Sequence, residues 1–138
     1  AHNLGAIART AAFFGVPRLV LPADAAAARP GEAAFRVAEG GLAHVEVLSV
    51  PRLPEFLREL AAAGYDVVGA ATRGGRPQAG ASAGKPVALV LGNEETGLAP
   101  EVQAACGRLV TIPGSGKVES LNVSVAAAVL MWELIGRR

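Results

Sequence analysis

Three stretches of this chain place polar residues where an apolar context does not call for them. Arg9 stands inside an otherwise apolar run from Ala6 to Phe14. Leu91-Gly92-Asn93-Glu94-Glu95-Thr96-Gly97-Leu98 sets two carboxylates between glycines, directly after the most apolar strand-like segment, Pro86 to Leu91. Ile112-Pro113-Gly114-Ser115-Gly116-Lys117-Val118-Glu119 then leads into Ser120-Leu121-Asn122-Val123-Ser124, which brings three alternate polar side chains to the start of a helix. Each has an ordinary explanation: an arginine that snorkels to solvent, a solvated turn with a helix cap before Pro100, and a cap on the last helix. Three polar residues with an acid at Glu119 exceed what one cap requires. Two of the segments also follow strands of what reads as a parallel sheet, and ligands of such sheets bind in loops beyond the strands' carboxyl ends.

Other chemistries fit poorly. Gly114-Ser115-Gly116-Lys117 has the look of a phosphate-binding loop, but Val118 follows the lysine where Ser or Thr is needed, and the upstream glycine is absent. His2 and His44 are isolated from Cys and carboxylate partners at ligand spacing, so no metal site is expected. The single cysteine, Cys106, reads as a small buried side chain and excludes an internal disulfide. With no disulfide and no signal peptide, a cytoplasmic location is the expectation.

The elements that must position these residues alternate. Asn3 to Phe14 reads as a helix capped by Asn3 and stopped by Gly15, with Ile7, Ala11 and Phe14 on its buried face. Strands are expected at Arg18–Pro22, Val45–Leu48, Tyr65–Ala71, Pro86–Leu91 and Arg108–Ile112, with helices at Glu32–Glu39, Leu53–Ala63 and Leu121–Ile135. Arg73 to Lys85 reads as an exposed loop. The strands are short continuous apolar runs, which argues for one α/β domain over 1–138 with a mostly parallel sheet and helices on both faces.

Composition agrees with this. The 138 residues are 51% hydrophobic and 18% charged, which argues against disorder. No apolar run is long enough to cross a membrane. A net charge of +1 excludes a polybasic mode of nucleic-acid binding but not a local basic patch. The last helix is apolar nearly all round: Leu121, Val125, Ala128, Val129, Trp132 and Ile135 line one face, and Val123, Ala126, Ala127, Leu130 and Leu134 supply much of the rest. It needs covering on more than one side, which predicts a homodimer using this helix.

Taken together and in order, the three polar segments resemble the SpoU (TrmH-like) branch of the SPOUT RNA methyltransferases. The first family motif is matched by Asn3-Leu4-Gly5-Ala6-Ile7-Ala8-Arg9-Thr10-Ala11 and the second by Leu91 to Leu98. The third is matched by Ile112-Pro113, Gly116 and Ser120 to Ala126. Ala38-Glu39-Gly40-Gly41 resembles a subgroup feature. The chain starts where the family normally has an earlier strand and an Asp-Pro-like lead-in, so a fragment lacking an upstream strand, and with it an N-terminal substrate-binding domain, is expected.

The resemblance implies a SPOUT α/β knot, in which the C-terminal segment threads a loop as a trefoil. It implies S-adenosylmethionine as cofactor, held largely by backbone around Leu91, Gly92, Ile112, Ser120 and Leu121, with Thr72 bordering the adenine. It implies methyl transfer to a ribose 2′-hydroxyl of tRNA or rRNA, in a site lying across a dimer interface. Asn3, Glu94, Ser120 and Asn122 would orient the site and Arg9 would act on the hydroxyl. A guanidinium nearly always stays protonated, so anchoring a phosphate or polarising the hydroxyl is physically easier for Arg9 than acting as a base. Arg73, Arg76, Lys85 and Lys117 are candidates for phosphate contacts. The competing readings are a non-catalytic RNA-binding module on the same fold, a knotted methyltransferase acting on a base nitrogen, and a small nucleotide-binding domain outside this family.

Overall fold

The computed structural model describes residues 2–23, 44–77, 84–93, 96–118 and 121–136. The chain divides into two compact units, Ala1–Leu53 and Pro54–Arg138. The helix expected over Glu32–Glu39 and the Ala38–Gly41 segment lie outside the described residues.

The first unit contains helix α1 (His2–Phe13) and strands β1 (Arg18–Pro22) and β2 (Glu46–Val50), which pair in parallel. α1 buries Leu4, Ala8 and Ala11, and Ala8 packs against Leu19 and Val47, which are register partners across the two strands. The expected face of Ile7, Ala11 and Phe14 is thus rotated: Ile7 and Phe14 are only partly buried. The small Ala8 lets the helix approach the strands where Leu19 and Val47 fill the space, an advantage that local periodicity does not reveal. Asn3 is not the cap either, because the helix already includes His2, and a cap needs non-helical backbone. The expected stop at Gly15 is present. Val16 N–H donates to Ala11 O and Gly15 N–H to Ala12 O, with Gly15 at a φ of 75° that favours glycine.

The second unit contains α2 (Leu53–Ala62), β3 (Asp66–Ala70), β4 (Val87–Val90), α3 (Pro100–Ala105), β5 (Arg108–Val110) and α4 (Val123–Met131), which runs into a π-helical turn, Trp132–Gly136. α2 buries Leu57 and ends at Gly64 in the same hydrogen-bonded motif as α1. The strands lie in the order β4-β3-β5, all parallel. The α/β class and parallel pairing therefore stand as expected, but the five described strands form a two-stranded and a three-stranded sheet, not one. Val68, Val110, Leu130 and Leu134 form the core, with Ala70, Val87, Leu89, Ile112 and Ile135 packed around it. Each of the four buried Val and Leu side chains contributes about 1.5–3 kcal/mol by leaving water. Gly69 points the other way, where a Cβ would lie 2.8 Å from both Cys106 Sγ and Leu109 Cδ2. Arg108 ties the strand starts together through a two-pronged contact with Asp66, Nη2 to Oδ2 at 2.9 Å and Nε to Oδ1 at 3.3 Å.

The last helix is shorter than expected. Asn122 caps it, accepting from Ser124 N–H at 2.9 Å and from the Ser124 hydroxyl at 2.6 Å. It widens after Met131, with the Trp132 amide shared between the Ala128 and Val129 carbonyls. Ala127, Leu130, Met131 and Leu134 face the core, while Leu121, Val125, Val129 and Trp132 remain 42% to 53% exposed as a stripe at helical spacing. No described helix is long and apolar enough to cross a membrane.

The segment after β3 is not a simple exposed loop. Ala70 pairs with Val110 on one edge of β5, and the Ala71 amide donates to Val110 O. Arg76 then pairs in parallel with the same Val110: its amide donates to Leu109 O, and Thr111 N–H donates to Arg76 O. Successive peptide groups of a strand point to opposite edges, so residues 71–76 carry the chain across β5, from one edge to the other.

Candidate functional site

Because β4, β3 and β5 are parallel, their carboxyl ends share one sheet edge. Val90 pairs with Gly69 and Val110 with Ala70, so the ends are also level. Leu91 lies one residue beyond Val90, and Thr72 and Ile112 each lie two beyond the paired Ala70 and Val110. The loops that follow these strands therefore leave together, and they contain Thr72, Leu91, Gly92 and Ile112. Leu91 and Gly92 are partly buried, Thr72 is exposed, and Ile112 packs against the core cluster.

Two close backbone contacts hold these loops. The turn after β4 closes on itself: Asn93 N–H donates to Gly97 O at 3.1 Å and Gly97 N–H to Asn93 O at 2.8 Å, while Asn93 Oδ1 accepts from Thr96 N–H. Gly92 lies under that turn, and a Cβ there would sit 2.5 Å from the Gly97 carbonyl carbon and 2.6 Å from Leu98 N. Gly92 is thus required by a backbone-on-backbone approach that no other residue permits. Gly75 meets the exit of β5 in the same way. Its amide donates to Thr111 Oγ1 at 3.0 Å, and a Cβ would lie 2.6 Å from the Val110 carbonyl carbon. The sequence reading overlooked Gly75 and Thr111. The signal available was the Gly74-Gly75 doublet, two glycines immediately before Arg76.

Glu94 and Ser120 lie outside the described residues. Leu121 is exposed one residue before the Asn122 cap. Asn122 has its side-chain oxygen committed to Ser124, so at least part of its role is to start α4. Of the cationic candidates, Arg73, Arg76, Lys85 and Lys117 are all exposed. Lys117 follows a turn in which its amide donates to Ser115 Oγ at 3.3 Å.

Asn3 and Arg9 belong to the first unit, on α1. Arg9 is exposed on the side of the helix away from Leu4, Ala8 and Ala11, and Asn3 is partly buried. The structure therefore brings Thr72, Leu91, Gly92 and Ile112 to one sheet edge of the second unit, and carries Asn3 and Arg9 on an element of the other.

Cys106 has the character expected of a packing residue. It is partly buried, its thiol donates to Val102 O at 3.4 Å, and burial pushes its pKa up, which keeps it protonated. Among the described residues, no group of three or more His, Cys, Asp or Glu could hold a metal ion.

The family model described as the SpoU rRNA Methylase family matches residues 1–132. A 23S rRNA (guanosine-2′-O-)-methyltransferase, RlmB, of Nitrosomonas europaea is 39% identical over 96% of this chain and 50% of its own length. The TrmH/SpoU tRNA modifying enzyme of A. aeolicus superposes with a TM-score of 0.83 at 29% identity, covering 96% of this chain and 66% of that one. AviRb of Streptomyces viridochromogenes, a SpoU methyltransferase solved in complex with the cofactor AdoMet, gives a TM-score of 0.80 at 26% identity over 96% of this chain and 51% of that one. This chain spans 35% to 55% of the length of three curated relatives that it matches. A match that runs over residues 1–132, nearly the whole chain, shows that the chain belongs to the SpoU rRNA Methylase family.

Proposed function

We propose that residues 1–138 form the catalytic domain of an S-adenosylmethionine-dependent RNA methyltransferase that modifies a ribose 2′-hydroxyl of tRNA or rRNA. The observation that carries this reading is the single sheet edge from which the loops after β3, β4 and β5 leave, closed by Gly75 on Thr111 and by Gly92 on Gly97. Such an edge offers backbone amides and carbonyls together with the apolar side chains Leu91 and Ile112, which suits a ligand with a flat heteroaromatic ring and an amino-acid tail. S-adenosylmethionine, when bound, supplies a methyl group already activated on a sulfonium. Thr72, Leu91, Gly92, Ile112, Ser120 and Leu121 would hold it.

Arg9 would bind the RNA. A 2′-hydroxyl is a weak nucleophile at neutral pH, and a guanidinium beside it polarises the O–H or anchors the neighbouring phosphate without itself losing a proton. Asn3, Glu94, Ser120 and Asn122 would position the ribose, and holding the reactants in line supplies much of the rate. The crossing of residues 71–76 over β5 supports a knotted chain. Leu130 and Leu134 packed on Val68 and Val110, and Cys106, just past α3, beside Gly69 on the opposite side, support helices on both faces. The exposed stripe of Leu121, Val125, Val129 and Trp132 supports a homodimer with the active site across it. Cytoplasmic action on RNA completes the reading.

Calorimetric titration with S-adenosylmethionine and S-adenosylhomocysteine tests the pocket: both should bind the wild type, and neither should bind Gly92→Ala. Nuclease digestion of RNA carrying a labelled transferred methyl then tests the position, because a 2′-O-methyl group blocks cleavage at the adjacent 3′ phosphate. Label released on a nuclease-sensitive nucleotide would place the methyl on a base and defeat the ribose assignment. RNA binding without cofactor binding would leave the non-catalytic module.

A further inference from the structure

Among the described residues, Phe13 is the most exposed large apolar side chain, at 82%. Single exposed apolar residues are ordinary, so exposure alone carries nothing. The surroundings of Phe13 carry more. It lies four residues after Arg9 on α1, so the two side chains share one face about 6 Å apart along the axis, with the small Ala6 next on that face. Arg9 is exposed too. The Phe13 ring meets Phe14 edge-on, with centroids 5.1 Å apart and planes at 83°, so its orientation is held while most of its surface stays open. α1 ends at Phe13, and the partial negative charge of a helix C-terminus disfavours a phosphate there. A neutral, flat group suits that position, and an anion suits Arg9 one turn back.

We infer that Phe13 is a stacking platform for a nucleobase of the bound RNA, adjacent to the nucleotide whose phosphate Arg9 holds. The inference rests on the RNA methyltransferase reading for its partner and adds to it a base-stacking residue that helps position the RNA. A ring face and a cation one helical turn apart match the two recognition elements of a single-stranded nucleic acid, base stacking and backbone neutralisation. A second protein chain fits less well, because one open ring, backed by the partly buried Phe14 and bordered by a guanidinium and an alanine, is not a continuous apolar patch. The stripe on α4 is one.

The test is equilibrium binding of the full chain to a labelled short oligoadenylate RNA and to the same oligomer made abasic. Phe13→Ala is expected to weaken oligoadenylate binding roughly tenfold, the loss of one base–aromatic stack, and to leave abasic binding unchanged. Phe13→Leu should behave like Phe13→Ala, since it keeps apolar area without a π face, and Phe13→Trp should restore affinity. Arg9→Ala should weaken both probes and flatten the salt dependence. Equal binding of both probes by Phe13→Ala and wild type overturns the inference. So does full affinity in Phe13→Leu, absence of oligoadenylate binding by the wild type, or a smaller oligomer for Phe13→Ala by light scattering. None of these readouts needs methyl transfer, so failure of the wild type to bind S-adenosylmethionine would strike the enzyme reading and leave the stack measured on its own.

Discussion

The amide of Gly75 donates to the hydroxyl oxygen of Thr111 at 3.0 Å, joining residues 36 positions apart at the point where β5 leaves the sheet. The contact closes the crossing of residues 71–76 over that strand, and it tolerates no side chain on Gly75, where a Cβ would meet Val110 and Thr111 backbone at 2.6 to 2.8 Å.

Gly75→Ala is therefore expected to lower stability by about 1–3 kcal/mol, the usual range for forcing atoms into a packed site. Urea denaturation would read this as a lower midpoint at constant slope. Thr111→Val, which removes the acceptor while keeping the shape, should cost about 1 kcal/mol, and Thr111→Ser should cost less. A Gly75→Ala protein as stable as the wild type would mean that the crossing is looser than the backbone distances imply.

Asn122 has a structural duty that can be separated from a chemical one. Removing its cap with Asn122→Ala should cost about 1 kcal/mol, whereas Asn122→Ser keeps an acceptor for the Ser124 amide and should cost little. If Asn122 also orients the ribose, Asn122→Ser should be stable yet slow in methyl transfer. Equal activity of Asn122→Ser and wild type would reduce Asn122 to a cap.

The apolar stripe on α4 predicts the oligomeric state. Val129→Glu places a charge at the middle of Leu121, Val125, Val129 and Trp132 without touching the buried residues Ala127, Leu130, Met131 and Leu134. Light scattering should find a dimer for the wild type and a monomer of unchanged helicity for the variant. Identical masses for the two would remove the stripe from the interface.

Cys106 supplies a pH dependence. Burial raises its pKa in the folded state, so the folded protein holds the thiol proton more tightly than the unfolded chain. Its contribution to stability is full below the unfolded thiol pKa and is lost as pH rises through the folded value. Stability should thus fall on the alkaline side, and Cys106→Ala should remove that part of the slope. Disulfide-exchange reagents at mildly alkaline pH should react with Cys106 more slowly in the folded protein than after denaturation.

The features legible in the sequence were those settled within a few residues. Gly15 and Gly64 end their helices through hydrogen bonds to carbonyls of the preceding turn, so each stop was visible in place. The apolar runs at β3, β4 and β5 announced buried parallel strands, and the polar segments after β4 and β5 announced loops at their carboxyl ends. The readings that failed depended on what lay opposite. Ile7 and Phe14 match the helical period as well as Leu4 and Ala8 do, and only the Leu19–Val47 pair opposite selects the face that is buried. Asn3 looks like a cap until the helix proves to start one residue earlier.

By itself, then, the sequence determined the types of the described strands and of the longer described helices, the parallel character of the strands and the motifs that mark the SpoU family, because each is written in local composition and spacing. The short helix Pro100–Ala105 and the π-helical turn after Met131 were not among the expected elements. The tertiary structure alone decided that Val110 has Ala70 on one edge and Arg76 on the other, and that Gly75 and Gly92 are required by backbone lying against them. A strand exposes peptide groups on two edges, and nothing within the strand says which distant segment will satisfy the second.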